Sequence, residues 1–189
     1  MPPTSSRPGA FCDANVLYSA LLRDLLIRLA IADLCELYWS AEVQSEWTRN
    51  LSQVRPELEA TLKRTRALME QVLPNALLSD AAPLPPEIQL PDPNDHHVLA
   101  AAIQSGTGTL LTFNLRDFPL AICQPLDVVA VHPDEWLAVV LAQDETLTLR
   151  VFQCLLAPLQ NPPLSLIDFA AALRRQVLPM TADLVTALV

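Results

Sequence analysis

The side chains in this chain that could do chemistry are carboxylates, and they fall in four separate segments. Asp13, with Asn15 two residues on, follows the apolar run Ala10-Phe11-Cys12. Glu46 sits between Ser45 and Trp47. Asp92 and Asp95 open the run Asp92-Pro93-Asn94-Asp95-His96-His97. Thr112, Asn114 and Asp117 follow Thr109-Leu110-Leu111. Carboxylates gathered at one place repel one another, and a cation between them relieves that repulsion. Hard oxygen donors with few His or Cys nearby suit Mg²⁺ or Mn²⁺. Such an ion can lower the pKa of a bound water and cover charge building on a phosphodiester.

An open parallel sheet would bring these acids together, because its ligands bind just outside the carboxyl ends of the strands. Strands are predicted at Ala10–Cys12, Leu37–Trp39, Thr109–Thr112 and Val128–Val131. Between them, apolar residues recur at helical spacing from Asn15 to Ala32. Ser40 caps a helix carrying Glu46, and Pro56 opens another that runs to about Val72. A proline-rich connector, Ala81 to Pro91, leads into a helix that Gly106 stops. The alternation predicts an α/β domain over residues 9–132, a short parallel sheet with helices on both faces. Residues 1–8 read as a flexible tail. Residues 133–189 show no strand pattern and read as an all-helical C-terminal extension packed on the main domain. Within it, His132-Pro133 starts a helix, Ser165 with Asp168 forms a capping box, and Asn161-Pro162-Pro163 separates helical pieces.

Composition narrows the chemistry further. About half of the 189 residues are apolar, enough for a sizeable core. The three glycines make neither a GxGxxG nor a Walker loop. Acids outnumber bases 21 to 12, giving a net charge of −9, the wrong sign for a non-specific polyanion binder. Nucleic-acid chemistry here must therefore use local basic residues and metal ions. Cys12, Cys35, Cys123 and Cys154 form no CxxC pair, so neither a zinc site nor a disulfide framework is expected, and Cys12, Cys35 and Cys154 sit in apolar runs that suit buried thiols. MPPTSSRPG lacks the apolar core of a signal peptide, and no apolar run is long enough to span a membrane. The expected location is a reducing cytoplasm.

Four runs together resemble the PIN domain, the nuclease fold of VapC-type toxins in bacterial toxin–antitoxin pairs. They are Cys12-Asp13-Ala14-Asn15-Val16-Leu17, Ser45-Glu46-Trp47, Asp92 to Ala102, and Leu111-Thr112-Phe113-Asn114-Leu115-Arg116-Asp117-Phe118. The DPxD opening is most similar to the branch that carries it ahead of the acidic helix. The resemblance implies a metal-dependent ribonuclease using Mg²⁺ or Mn²⁺. By motif position it puts Asp13, Glu46, Asp95 and Asp117 among the catalytic and metal-binding acids. Asn15, Asp92, Thr112 and Asn114 fall on supporting positions, and Arg116 beside them is the best single candidate for a phosphate contact. As partners it implies RNA as substrate, a cognate antitoxin protein and scope for a homodimer. His96-His97 and the helical extension depart from the family's minimal pattern.

Each residue also has a plainer reading. Asp13, Asp92 and Asn114 all stand where a helix cap would. Adjacent histidines point about 100° apart on a helix, so one of the pair should face solvent and the other the cleft. Arg55, Lys63, Arg64 and Arg66 read as a solvated face or as a guide for RNA. The alternative function is a non-catalytic PIN-like module binding RNA or protein. A metal-dependent phosphatase on another doubly wound fold ranks lower, because Asp13-Ala14-Asn15 lacks the second aspartate of the aspartyl-phosphate enzymes.

Overall fold

The computed structural model describes residues 7–158 and 164–188. The first six residues of the expected tail and the Asn161-Pro162-Pro163 separator lie outside the described residues. Five parallel strands form one sheet in the order β3-β2-β1-β4-β5. They are β1 (Gly9–Cys12), β2 (Glu36–Ser40), β3 (Leu77–Leu78), β4 (Thr109–Leu111) and β5 (Val129–Val131). The central strand β1 pairs with β2 on one side and β4 on the other. Successive strand residues point to opposite faces, and Ala10, Phe11 and Cys12 are all fully buried, so both faces of the sheet are covered.

The edge strand β3 was not expected. Two leucines show no periodicity of their own, and only pairing of Trp39 and Ser40 with Leu77 and Leu78 makes them a strand. The helix expected over Asn15–Ala32 is also two helices, α1 (Ala14–Tyr18) and α2 (Ala20–Ile31). Ser19 takes an extended conformation between them, and its hydroxyl caps α2 by accepting from Leu22 N–H at 3.3 Å. The break leaves carbonyls at the end of α1 without helical partners. The buried Arg23 guanidinium fills that need, donating to Leu17 C=O at 2.5 Å while lying 4.3 Å from the Trp47 ring centroid. Its neighbours could be found only in three dimensions.

Other boundaries follow local chemistry. Ser40 Oγ accepts from Val43 N–H at 3.1 Å and starts α3 (Ala41–Val54). Pro56 opens a single 3₁₀ turn, and α4 (Glu59–Val72) follows. Asp92 caps a second 3₁₀ turn, Pro93–Asp95, which runs directly into α5 (His96–Ser105). Gly106 ends α5 at φ 66°, a left-handed conformation that glycine adopts without steric cost. A short helix α6 (Leu120–Cys123) precedes β5.

Among the described residues, no strand follows β5. The rest is α7 (Pro133–Leu141), α8 (Glu145–Leu156), α9 (Leu166–Arg175) and α10 (Pro179–Ala187). The capping box is present: Ser165 Oγ accepts from Asp168 N–H, and the Asp168 carboxylate accepts from Ser165 N–H. These helices share the apolar core of the sheet. Phe152 packs on Phe169 with ring centroids 5.6 Å apart, and α8 lies against α2. Cys12, Cys35 and Cys123 are buried, whereas Cys154 is exposed, because its run of apolar neighbours belongs to the opposite face of α8.

Asp134 ties the extension together. An acid in the first turn of α7, it is 4% exposed and accepts from Met180 N–H, Thr181 N–H and Thr181 Oγ–H at 2.8, 2.8 and 2.7 Å. It therefore caps α10 from another helix. Asp134→Ala would leave the buried N–H and hydroxyl of Thr181 and the part-buried Met180 N–H without their acceptor, and should lower unfolding stability by roughly 2–4 kcal/mol in urea titrations.

Candidate active site

The register of the central strands builds the site. Cys12 pairs with Leu111, so the next residue on each chain, Asp13 and Thr112, leaves the sheet side by side. Asp13 N–H still donates to Leu111 C=O, and Thr112 N–H to Val131 C=O. Both side chains are buried there. Thr112 Oγ donates to Asp13 Oδ2 at 2.7 Å, and Asn15 Nδ2 donates to the same oxygen at 2.6 Å. Ala14 N–H donates to Asp13 Oδ1 at 2.5 Å. Asn15 Oδ1 in turn accepts from Phe113 N–H, and Thr112 Oγ from Asn114 N–H. Asp13 is thus both the cap of α1 and the centre of a polar knot. Burial pushes its carboxyl above the ordinary range, and the Thr112 and Ala14 hydrogen bonds oppose that shift.

Above this knot lies a groove of about 470 Å³. Glu46, Asp92, Asp95, Asn114 and Asp117 all line it. The structure therefore brings together acids from α3, from the turn before α5 and from the turn after β4, with Asp13 buried close by. Asp95 reports the crowding. Partial burial, then the charges of Asp13, Asp92, Asp117 and Glu46, push its carboxyl up to about 6. Among the described residues its carboxylate and that of Asp117 accept no hydrogen bond, so both remain able to turn towards a ligand. Among the described residues no three of these groups already form a closed cage for an ion.

Asp92 holds its own turn, accepting from Asn94 N–H at 2.9 Å. Asn114 makes no capping hydrogen bond through its side chain, and that reading of it is set aside. Arg116 is exposed on the turn Leu115–Asp117 and is not among the groove's lining residues. Arg49 is, although it belongs to none of the acidic motifs. It lies three residues after Glu46 on α3, and Glu42 lies four before it, so helical spacing puts all three on one face. That periodicity was the available signal.

The histidines divide differently from expectation. His97 faces the groove, with ring nitrogens 3.6 Å from Glu42 and from Glu46. Burial acts to lower its pKa, but the two glutamates outweigh it and the net shift is upward. His96 does not turn to solvent: its Nε2 is buried and, like His97, the residue lines a neighbouring cavity under the 80–84 connector.

Fold and site define a parallel α/β domain with a carboxylate groove at the strand ends, and the chain matches the PIN domain family over residues 10–116. It belongs to that family. Residues 133–187 match the VapC50 C-terminal domain, which covers the helical extension. A protein of Mycobacterium tuberculosis (strain ATCC 25618 / H37Rv) named "Putative ribonuclease VapC50" is 34% identical over 83 residues. That match covers 44% of this chain and 49% of the relative, so the aligned part spans about half of the relative's length. No solved structure matches the chain. Among the described residues, no helix is long and apolar enough to cross a membrane.

Neutralising one corner of the groove should relieve repulsion. In EDTA, Asp95→Asn is expected to melt at or slightly above the wild-type temperature, read by circular dichroism, because the amide removes one of five interacting negative charges.

Proposed function

We propose that this protein is a metal-dependent endoribonuclease, the toxin of a type II toxin–antitoxin pair. The observation that carries the reading is the meeting, in one groove at the carboxyl edge of the sheet, of acids from separate segments around the buried Asp13. The donor set fits a hard divalent cation: it is all oxygen, and its carboxylates repel strongly enough to push Asp95 up to about 6. Asp13, Glu46, Asp95 and Asp117 would hold Mg²⁺ or Mn²⁺. When bound, such an ion supplies an activated water and charge cover for the phosphate.

The chain's own residues do the rest. Thr112, Asn15 and the Ala14 N–H fix the Asp13 carboxylate, so it presents its remaining lone pairs without rearrangement. Asn114 supports the groove beside Asp117, and Asp92 sets the turn that aims Asp95. Arg49 puts a guanidinium on the groove wall, where a phosphate oxygen would need one. The relative named as a ribonuclease and the matched VapC50 C-terminal domain support the same reading. An antitoxin would neutralise the toxin by covering the groove with a basic segment, and the net charge of −9 suits such a partner. The proposed compartment is the cytoplasm, where messenger and transfer RNA are found.

The test is cleavage of a single-stranded RNA carrying a fluorophore and a quencher. Wild type should cleave with Mg²⁺ or Mn²⁺ and stop in EDTA. Asp95→Asn should stay folded yet cleave about a hundred- to a thousandfold more slowly, the scale of one lost transition-state interaction. Binding of the RNA without cleavage by the wild type would instead favour a non-catalytic PIN-like module.

A further inference from the structure

An acidic groove repels the substrate just proposed for it, so a polyanion needs positive charge close by. Basic residues are few in this chain, but they are not evenly spread: between residues 49 and 66 it carries five bases and two acids, against a net charge of −9 overall. The structure gathers three of the five into one place. A cleft of about 350 Å³ lies between α3 and α4, lined by Arg49, Lys63 and Arg66 against one carboxylate, Glu59, with the hydroxyl residues Ser45, Thr48 and Ser52. Arg55 and Arg64 stand outside it.

This cleft is continuous with the acidic groove, because Ser45 and Arg49 line both. Lys63 pairs with Glu59 at 2.8 Å across an exposed helical turn, an interaction worth little in water and easily exchanged for a phosphate. Among the described residues, Arg49 and Arg66 make no ion pair. Burial in the fold explains neither guanidinium, and Leu62 at the cleft floor already supplies the packing between the helices.

We infer that the α3–α4 cleft is the track for the RNA backbone, binding phosphodiester groups next to the one held in the acidic groove. The inference rests on the ribonuclease reading and adds to it a substrate path: single-stranded RNA would lie across Arg49, with phosphates on Arg66 and Lys63. Arginine forks suit phosphate oxygens, and a strand that passes two or three such contacts gains affinity without regard to base identity.

The experiment is fluorescence anisotropy of a labelled single-stranded RNA in EDTA, over a range of KCl concentrations. The double variant Arg49→Gln/Arg66→Gln should bind about tenfold or more weakly. The slope of log affinity against log salt should fall by about one for each lost phosphate contact. Arg150→Gln/Arg175→Gln removes the same charge from exposed positions on α8 and α9 and should change little. Melting curves check that both variants fold, and Lys63→Gln, on a fully exposed turn, gives a milder third case. Equal affinity and slope in the cleft variant and the wild type would overturn the track, as would an equal loss in the control pair. If the wild type cleaves RNA while the cleft variant binds normally, only the track falls. If the wild type neither binds nor cleaves RNA, the ribonuclease reading falls with it.

Discussion

A carboxylate taken out of water has to be kept there, and in this protein that carboxylate is Asp13. It is 5% exposed at the end of the central strand, where an unsolvated negative charge is costly. Three donors answer the cost: a backbone N–H of the helix it caps, the amide of Asn15 and the hydroxyl of Thr112. The last of these comes from a segment 99 residues away, delivered by the β1–β4 register. The pairing of two strands and the placing of one charge are therefore the same event. Sheet register, the start of α1 and the polar knot under the groove all fail together if that pairing slips by one residue.

Around this point the charges are arranged by distance from water. Asp13 is buried and satisfied. Asp95 and Asp117 are part-exposed and unsatisfied, which leaves them free to turn towards a ligand. Arg49 sits at the rim, and Arg66 and Lys63 lie one helix further out. A net acidic chain can accommodate a polyanion on such a surface because the positive charge, though small in total, is concentrated on the side from which the strand would approach. The helical extension lies elsewhere: α8 rests on α2, and α10 is fastened to α7 through Asp134.

What could be read from the sequence was what depends on neighbours along the chain. Ser40, Asp92, Gly106 and the Ser165–Asp168 pair each set a helix boundary through groups within a few residues, and all four stand where expected. The acids at the groove were legible for a related reason: Asp13 and Asp117 follow strands, Glu46 and Asp95 lie near the starts of helices, and a parallel α/β sheet sends strand carboxyl ends and helix amino ends to one edge. What escaped reading depends on partners far along the chain. Leu77-Leu78 becomes a strand only beside Trp39-Ser40. The break at Ser19 is tolerated because Arg23 folds back on the free carbonyls. Arg116 was singled out because it adjoins an acidic motif in sequence, yet adjacency on a turn does not set direction, whereas the spacing of Arg49 on α3 does. One of the two histidines was expected in water because neighbouring helix positions diverge, but the connector covers the His96 side of α5.

The central claim is that a divalent cation binds where these acids meet and that Asp13 anchors it. Amide NMR spectra recorded during a Mg²⁺ titration test this directly. The account predicts saturable shifts at the amides of residues 13–15, 46, 95 and 112–117, and their loss in Asp13→Asn. Wild-type spectra that do not respond to Mg²⁺, or an Asp13→Asn protein that responds in the same way, would contradict it.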